Sequence, residues 1–414
     1  MPVTSPSLPT SERIATLDIV RGFALLGILI MNMPGFSSSF FAEADGSHLW
    51  PGRLDQLAEQ VRDLLFSGKF NSMFSLLFGI GFTVQFGRMQ QRDPEHATGL
   101  YLRRLLELGV FGLVHAIVFW TGDVLHIYAL LGLLLLFGLR RASDRTVLAL
   151  IGLCLLYPAV SGSLRLLLVT PEITAQMVAR SQAFELTNNA AYGHGSFAAA
   201  AVEHWREFSF FYSDRWAAWG FLGFYVQMAL TMLLGLLAGR RHWPQRIPEL
   251  RPRIPRLQWS ALAVGLACGV VFTVIFEMNR TPGPSPIKLL GGVCYWASRV
   301  ALMVFYVLTI VRLAQTPLGA RLLAPLAFTG RMPLTNYLMQ TLLCTTLFYG
   351  WGFGLWGRVG PAAGLGLALL IYFGVQLPWS LWWLRRHERG PVEALWARLT
   401  YGRAAARSAP AGAA

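Results

Sequence analysis

Charge is scarce in this chain of 414 residues: Asp, Glu, Lys and Arg make up 14% of it, whereas 54% of its residues are hydrophobic. Its mean hydropathy of +0.48 is too high for a water-soluble protein of this size. The four cysteines have unrelated spacings, which excludes a disulfide framework and a cysteine-based metal site. GxSxG, HExxH and nucleotide-binding glycine motifs are also missing. Any chemistry must therefore come from polar groups inside hydrophobic segments.

The apolar residues occur in runs of about 20, the length that crosses a bilayer as a helix. We predict an all-α polytopic membrane protein with about ten transmembrane helices. The first of them is not a cleavable signal peptide, because it contains Asp18 and Arg21 and no small-residue cleavage site follows. The predicted spans cover residues 17–37, 64–87, 102–121, 123–139, 146–169, 216–238, 257–277, 288–312, 331–353 and 361–384.

Basic residues alternate between the two sides of these spans. The N-terminal tail and the loops after the even-numbered spans, together with the span ends that border them, hold 23 Lys and Arg, against eight on the other side. The positive-inside rule then predicts that both termini are cytoplasmic. Basic loops beside membrane spans also account for the net charge of +14, so we expect the lipid bilayer as a partner and no nucleic acid.

One long extracytoplasmic segment separates two membrane halves. Residues 17–169 hold the first five spans, and residues 216–403 hold the last five. The segment between them, 170–215, mixes apolar and charged residues as short amphipathic helices do when they lie on a membrane or over a cavity. We predict a cytoplasmic tail at 1–16 and a disordered tail at 404–414.

The first span, LDIVRGFALLGILIMN, carries a polar stripe. At about 100° per residue, Asp18, Arg21 and Asn32 fall on one side of the helix, with Asn32 about 16 Å above Arg21. An Asp or Arg in hydrocarbon costs roughly 2.5–3.5 kcal/mol, so the stripe must face protein or water. A pair between Asp18 and Arg21 is one explanation of the stripe, but it leaves Asn32 unexplained.

The third and fourth spans, GLVHAIVFWTGDVLHIYALLG, predict a tight hairpin that turns at Asp123. The turn brings His115 and Asp123 to the outer end of the hairpin, a pattern typical of a general base and its orienting acid. His126 lies nearer the outer water and is an alternative base. A hydrogen bond from His115 to a neighbouring carbonyl, made only for packing, is the other interpretation.

The second span carries a polar patch in RDLLFSGKFNSMFSLLFG. Lys69 and Asn71 are candidate pore-lining residues there, and His126 of the hairpin is a third. The alternative for Lys69 is that its long side chain extends outward to water.

The ninth span begins with TGRMPLTNYLMQT. Its first N–H groups and Arg331 suit an anion such as phosphate at the cytoplasmic end. Asn336 and Gln340 share one face, beside Tyr337. These side chains either line the same anion site or form hydrogen bonds to a neighbouring helix.

Four stretches resemble, in order, the signature segments of the YeiB-type bacterial membrane proteins: LDIVRGFALLGILIMN, KFNSMFSLLFGIGF, GLVHAIVFWTGDVLHIYALLG and FTGRMPLTNYLMQTLLCTTLFYGWG. The C-terminal half of these proteins is known as domain of unknown function family 418. The resemblance covers nearly the whole chain. It implies a multi-pass protein of the bacterial inner (cytoplasmic) membrane.

A wider resemblance concerns the first helix. Its D-x-x-R-G start, with a polar residue eleven positions after the Arg, is similar to that of the lysosomal heparan-α-glucosaminide N-acetyltransferases and the bacterial membrane O-acyltransferases. This implies a transmembrane-acyltransferase-like bundle that takes acyl-CoA from the cytoplasm. The catalytic histidine of the lysosomal enzymes has no clear counterpart, since His48 alone occupies that region and lacks the surrounding pattern. His115 is the substitute that we predict.

The leading hypothesis is a membrane acyltransferase that moves an acyl group, such as acetyl, from cytoplasmic acyl-CoA to an extracytoplasmic glycan, lipid or small molecule. The alternatives are a secondary transporter or channel, and a scaffold whose polar groups pair off. A homodimer is compatible with each of them, and no metal is expected. The predicted catalytic residues are His115, Asn32 and Asp123, and the predicted CoA-binding residues are Asp18, Arg21, Arg331, Asn336, Tyr337 and Gln340.

Overall fold

A computed structural model describes residues 10–408 of the chain. Every regular element in that range is a helix, and the range contains no strand. The all-α fold class predicted from the sequence is therefore confirmed.

The described chain forms a series of helices joined by short connections. Three π-helical stretches continue or link them, at His115–Phe119, Leu134–Leu139 and Leu370–Gln376. The helices are α1 (Thr10–Ser37), α2 (Arg53–Leu65), α3 (Lys69–Arg92), α4 (Ala97–Val114), α5 (Leu125–Leu133), α6 (Asp144–Leu168), α7 (Pro171–His194), α8 (Phe197–Ser213), α9 (Arg215–Arg240), α10 (Ile247–Leu250), α11 (Ile254–Met278), α12 (Pro286–Leu313), α13 (Pro317–Gly330), α14 (Pro333–Phe348), α15 (Pro361–Leu369), α16 (Leu377–Leu384) and α17 (Pro391–Ser408).

Within residues 10–408, seven helical segments are long and apolar enough to cross a bilayer. This confirms a multi-pass membrane protein. The other three predicted spans fall on α4, which carries charged residues, on α5 and on α14, which are short. A count of ten spans and a cytoplasmic position for both termini stay predictions. The seven segments are Thr16–Ser37, Arg53–Arg92, Asp144–Leu168, Arg215–Arg240, Ile254–Met278, Pro286–Leu313 and Pro361–Leu384.

Helix α1 lies at the centre of the bundle, where α3, α13, α14 and α15 pack around it. Its contact with α13 depends on two glycines. A Cβ atom on Gly22 would lie 2.0 Å from the carbonyl oxygen of Leu326, and one on Gly330 would lie 1.8 Å from that of Asp18. Small residues allow helix backbones to approach this closely in a membrane. The first helix is thus surrounded by protein, which explains how its polar stripe is tolerated.

Two other helix pairs pack through small residues. Gly79 of α3 and Gly235 of α9 face the partner's backbone, since added Cβ atoms would lie 2.1 and 2.0 Å from carbonyl oxygens. In the α11–α12 pair, the Ser298 hydroxyl donates a hydrogen bond of 2.8 Å to the carbonyl of Gly265. Close packing of this kind holds the bundle together without a large charged interface.

The segment predicted as short amphipathic helices contains two longer ones, α7 of 24 residues and α8 of 17 residues. Each begins at a hydroxyl N-cap, because Thr170 and Ser196 accept hydrogen bonds from the N–H groups of Ile173 and Ala199. Helix α8 packs on α9 and on the π-helical stretch after α4. It therefore covers the outer end of the predicted hairpin.

Both predicted tails extend beyond the described residues. Helix α1 begins at Thr10, inside the predicted 1–16 tail, and α17 continues to Ser408, inside the predicted 404–414 tail. Residues 1–9 and 409–414 are outside the described range.

The close contact of α1 with α13 predicts that Gly22→Ala lowers stability by about 1–3 kcal/mol, because the added methyl group meets backbone atoms that cannot rotate away. The thermal unfolding midpoint of the detergent-purified protein measures this effect. Gly366→Ala in α15 is the matched control, since nothing lies within 4 Å of the added Cβ atom. Equal midpoints for the two variants would contradict the packing described.

Candidate functional site

Asp123 joins two histidines at the turn between α4 and α5. Its Oδ2 atom lies 2.8 Å from Nδ1 of His115, and its Oδ1 atom lies 2.7 Å from Nδ1 of His126. The backbone N–H of His126 also donates to Oδ1, at 3.0 Å. All three side chains are buried. A carboxylate that accepts these bonds fixes both imidazoles in the tautomer whose Nε2 atom is the basic nitrogen.

Each Nε2 atom meets a hydroxyl group from a distant part of the chain. Nε2 of His115 lies 2.8 Å from Oγ1 of Thr341 in α14, and Nε2 of His126 lies 2.6 Å from the Tyr212 hydroxyl in α8. The Tyr212 hydroxyl lies 2.6 Å from that of Tyr225 in α9. A continuous chain of hydrogen bonds thus runs from the buried Thr341 to Tyr212, which is 42% exposed.

Thr341, Tyr212 and Tyr225 are not among the site residues predicted from the sequence. They come from three helices far from the hairpin in sequence, and nothing in their local patterns distinguishes them from ordinary helix residues. For Thr341 alone, the sequence contains a signal: it directly follows Gln340 in a segment that is rich in polar groups.

The sequence of the hairpin explains its close geometry. A Cβ atom on Gly112 would lie 2.2 Å from the backbone nitrogen of His126 and 2.8 Å from Oδ1 of Asp123, so only glycine fits there. The π-helical stretch begins at His115 itself. Such stretches interrupt the regular hydrogen-bond pattern and are frequent at functional sites.

The hairpin also packs against the outer part of α1. Nε1 of Trp120 donates to the carbonyl of Gly35 at 3.0 Å, and the Trp120 ring lies 4.1 Å from that of Phe36, centroid to centroid. These contacts are about one turn beyond Asn32. The His–Asp hairpin therefore packs against the same part of α1 that carries Asn32.

A narrow cavity of about 140 Å³ runs between α1 and the hairpin. Val124, Tyr128 and Tyr337 line the end nearest the hairpin, and Arg21 and Arg104 line the opposite end. The centroids of the Tyr337 ring and the His115 ring are 5.2 Å apart. The cavity thus extends from two arginines to the immediate neighbourhood of the basic histidine. Its middle part is apolar and includes Leu25, Ile28, Phe74, Leu77, Phe78, Leu105 and Leu108.

The arginine end of the cavity is positively charged and only partly neutralised. Arg21 forms an ion pair with Asp18, with Nη1 and Oδ1 2.7 Å apart. Arg104 is buried with its guanidinium stacked 3.7 Å above the Trp396 ring, and its Nη1 atom has no hydrogen-bond partner among residues 10–408. A buried N–H group without a partner is costly, so this end of the cavity suits an anionic ligand.

Asn32 is half-buried on the same face of α1 as the cavity-lining residues Arg21, Leu25 and Ile28. No hydrogen bond joins its side chain to another residue of the described chain. Its predicted role in the site stays a prediction.

Two predicted CoA-binding residues take part in interhelical hydrogen bonds. Nδ2 of Asn336 donates to the carbonyl of Met332 and to the Ser380 hydroxyl, each at 3.0 Å. Nε2 of Gln340 donates to the carbonyl of Leu25 at 3.1 Å and to Oε1 of Gln376 at 3.0 Å. These bonds join α14 to α1, α16 and the last π-helical stretch. This geometry corresponds to the alternative in which the amides connect helices.

The remaining predicted residues lie apart from the histidine cluster. Arg331 is exposed, and its guanidinium is 3.4 Å from the carbonyl of Glu388. Lys69 is fully buried, with Nζ donating to the carbonyl of Asp63 at 2.7 Å. Asn71 is buried, and its Oδ1 atom has no hydrogen-bond partner in the described range.

A second buried cluster lies in α8, directly against the hairpin. Nε2 of His204 is 3.1 Å from the Tyr349 hydroxyl, and its backbone carbonyl accepts a bond of 3.4 Å from Thr121. Oε1 of Glu207 accepts a bond of 2.6 Å from Asn188. Burial lowers the pKa of His204 to about 3 and raises the pKa of Glu207 to about 7. At neutral pH, His204 is therefore uncharged and Glu207 is close to half-protonated.

Comparison with known proteins gives full-length relatives in bacteria. Protein YxaH of Bacillus subtilis is 30% identical over 410 residues, with 95% of each chain covered. The chain belongs to the YeiB-type family. Protein YeiB of Escherichia coli is 28% identical, covering 94% of this chain and 96% of its own. Residues 238–403 match the family model described as "Protein of unknown function (DUF418)". As a YeiB-type protein with several apolar helices, it is a multi-pass protein of a bacterial membrane.

The elevated pKa of Glu207 predicts a pH-dependent stability for this YeiB-type protein. Because the folded protein binds the Glu207 proton more tightly than the unfolded chain, the stability that this group contributes falls as the pH rises from about 4.5 toward about 7. Glu207→Gln should remove this part of the decline. Thermal unfolding midpoints measured between about pH 5 and pH 8 test it.

The exposed Glu95 offers a matched control, because Glu95→Gln should leave the pH profile of the unfolding midpoint unchanged. If Glu207→Gln and the wild-type protein had parallel profiles, the elevated pKa of Glu207 would be wrong.

Proposed function

We propose that this YeiB-type protein is a membrane acyltransferase that uses cytoplasmic acyl-CoA and an acceptor approaching from the opposite side. The observation that carries the proposal is the cavity that runs from Arg21 and Arg104 to Tyr337, whose ring lies beside the ring of His115. An acyl-CoA substrate needs positive charge for its phosphates, an apolar passage for its chain and a base beside its thioester. The cavity and His115 together offer these three features.

The residues at the entrance fit the substrate. CoA carries phosphate groups at one end and a thioester at the other, joined by a slender chain. The unpartnered Nη1 atom of Arg104 and the partly neutralised Arg21 supply donors for phosphate oxygens. The apolar wall between them and Tyr337 suits the chain and the acyl group.

In the proposed reaction, Nε2 of His115 takes the proton of the acceptor hydroxyl or amine while the acceptor atom attacks the carbonyl carbon of the thioester. The bond from carbon to sulfur then breaks, and the thiolate leaves with the electron pair. His115 passes the proton to this thiolate. Acyl-CoA and the acceptor are thereby converted into the acylated acceptor and free CoA.

Asp123 acts as the positioning residue for this base. It holds the imidazole by the bond to Nδ1 and stabilises the charge that His115 acquires when it takes the proton. The hydroxyl of Thr341 occupies the place next to Nε2 into which we propose that the acceptor hydroxyl moves. Helix α8 covers this region, so its displacement would admit the acceptor from the outer side.

The rival function is secondary transport. The chain of hydrogen bonds from Thr341 through His115, Asp123 and His126 to Tyr212 is the observation that favours it, because linked hydroxyl and imidazole groups can carry a proton. A proton path does not explain why Arg21 and Arg104 line the end of the narrow cavity opposite the hairpin, whereas binding of CoA phosphates does. Binding of CoA separates the two functions.

We expect CoA and acetyl-CoA to bind the detergent-purified protein saturably in calorimetry, and Arg21→Ala to weaken this binding about tenfold or more, because a charge-assisted contact to phosphate is lost. Arg321→Ala, at an exposed position of α13, should bind like the wild type. Absence of binding by folded wild-type protein at millimolar CoA would reject the acyltransferase and favour the transporter.

For catalysis, His115→Gln should lower acyl transfer from radiolabelled acetyl-CoA by about 10²–10⁴-fold while leaving CoA affinity unchanged, since it removes the base but not the entrance of the cavity. An acceptor screen with membrane extracts supplies the assay. His96→Gln, at an exposed site paired with Asp93, is the control that should retain full activity. Transfer at the wild-type rate by His115→Gln would exclude His115 as the base.

A further inference from the structure

The largest of the described cavities lies away from the histidine cluster, between α6, α7, α9 and α12. Its volume is about 590 Å³. The loop of residues 282–285, which precedes α12, closes one side. The cavity lies at the end of the bundle that carries α7 and α8, which the charge pattern assigns to the outer leaflet. None of the residues proposed for acyl transfer lines it.

The cavity is lined by two basic residues and by no Asp or Glu. Arg165 lies in the last turn of α6, and Lys288 lies in the first turn of α12. Neither forms an ion pair with any residue in the 10–408 range. Nζ of Lys288 donates to the carbonyls of Thr281 and Gly283, the second at 3.1 Å, so backbone contacts fix its position.

Two further basic side chains lie behind one wall of the cavity. Tyr295 belongs to this wall, with the Arg299 guanidinium 4.9 Å and Lys69 Nζ 5.7 Å from its ring centroid. Arg299 is only 6% exposed, its Nε atom has no hydrogen-bond partner, and neither cation is paired with a carboxylate within the described chain. Arg165 and Lys288 therefore make the lining of the cavity positive, and Arg299 adds positive charge behind Tyr295. An anion complements this charge.

The walls indicate that the anion is attached to a lipid. Gly220 and Gly223 of α9 lie opposite Arg165 and Tyr157 of α6, because Cβ atoms added to these glycines would be in ordinary contact with those side chains, at 3.4 Å. Next to the cavity, α6 exposes long apolar side chains such as Leu164 and Leu167, as a helix does where it faces acyl chains. Aromatic side chains typical of a membrane–water interface line the cavity: Tyr157, Trp216, Trp219, Tyr295 and Trp296.

We propose that this cavity binds the phosphate headgroup of an anionic membrane lipid, with Arg165 and Lys288 as its direct partners and the lipid chains directed along α6. Free inorganic phosphate shares the charge but cannot use the aromatic and apolar walls. The lipid site is independent of the proposed acyl transfer, because it involves other residues and is tested by lipid retention.

The test is native mass spectrometry of the full-length protein, transferred from a mild detergent after incubation with equimolar phosphatidylglycerol and phosphatidylethanolamine. We expect the wild type to retain phosphatidylglycerol in preference to phosphatidylethanolamine. The double variant Arg165→Gln/Lys288→Gln should retain about tenfold less phosphatidylglycerol, because both charge-assisted contacts are lost. Arg358→Gln, at an exposed arginine of another loop, should behave like the wild type.

A second variant blocks the space without changing the charge. Nothing lies within 4 Å of a Cβ atom added to Gly292, which lines the cavity, so Gly292→Phe should fold and exclude the lipid. Millimolar inorganic phosphate should leave phosphatidylglycerol bound. Equal retention of the two lipids, retention by both variants, or displacement by phosphate would each overturn the proposal.

Discussion

The carboxylate of Asp123 is the group on which the interior of this protein depends. It is buried at the turn of a hairpin and accepts hydrogen bonds from both His115 and His126. A buried carboxylate is tolerated only when such partners surround it. These bonds hold both imidazoles with Nε2 pointing away from Asp123. Nε2 of His115 contacts the hydroxyl of Thr341 in α14, and Nε2 of His126 contacts the hydroxyl of Tyr212 in α8. One acidic side chain thus links the hairpin to the C-terminal half and to the outer helices.

The rest of the site follows from where this cluster lies. Helix α1 packs against α3, α13, α14 and α15, and its face that carries Arg21 borders the narrow cavity. The cavity ends at Tyr337, beside the His115 ring. In the proposed acyl transfer, His115 would act as the base at one end of the cavity, and the arginines at the other end would bind the phosphates of CoA. The larger cavity beside α6 differs from it, because its volume is about 590 Å³ and five Tyr and Trp side chains line it.

Much of this organisation was predictable from the sequence. Apolar runs of about 20 residues fix the all-helical membrane class, and the short distance from His115 to Asp123 predicted that they meet at one end of a hairpin. The roles of polar residues whose partners are remote in sequence could not be predicted. The interhelical hydrogen bonds of Asn336 and Gln340 and the contact of Thr341 with His115 are examples, because they arise from packing between helices. The cavity likewise depends on how α1, α3, α4 and α14 diverge, which no local pattern encodes.

A decisive test of the proposed CoA passage is to trap CoA at the end of the narrow cavity nearest the hairpin, where Tyr337 lies. The Tyr337→Cys variant, made after replacing the four native cysteines by serine, should form a mixed disulfide with CoA disulfide, because its thiol lies where the account places the CoA sulfur. Mass spectrometry of the intact protein should show one adduct, and an excess of acetyl-CoA should suppress it. Leu318→Cys, at an exposed position, should react without such suppression. If Tyr337→Cys reacted with a small maleimide but never with CoA disulfide, the cavity would not be the CoA passage and the account would be wrong.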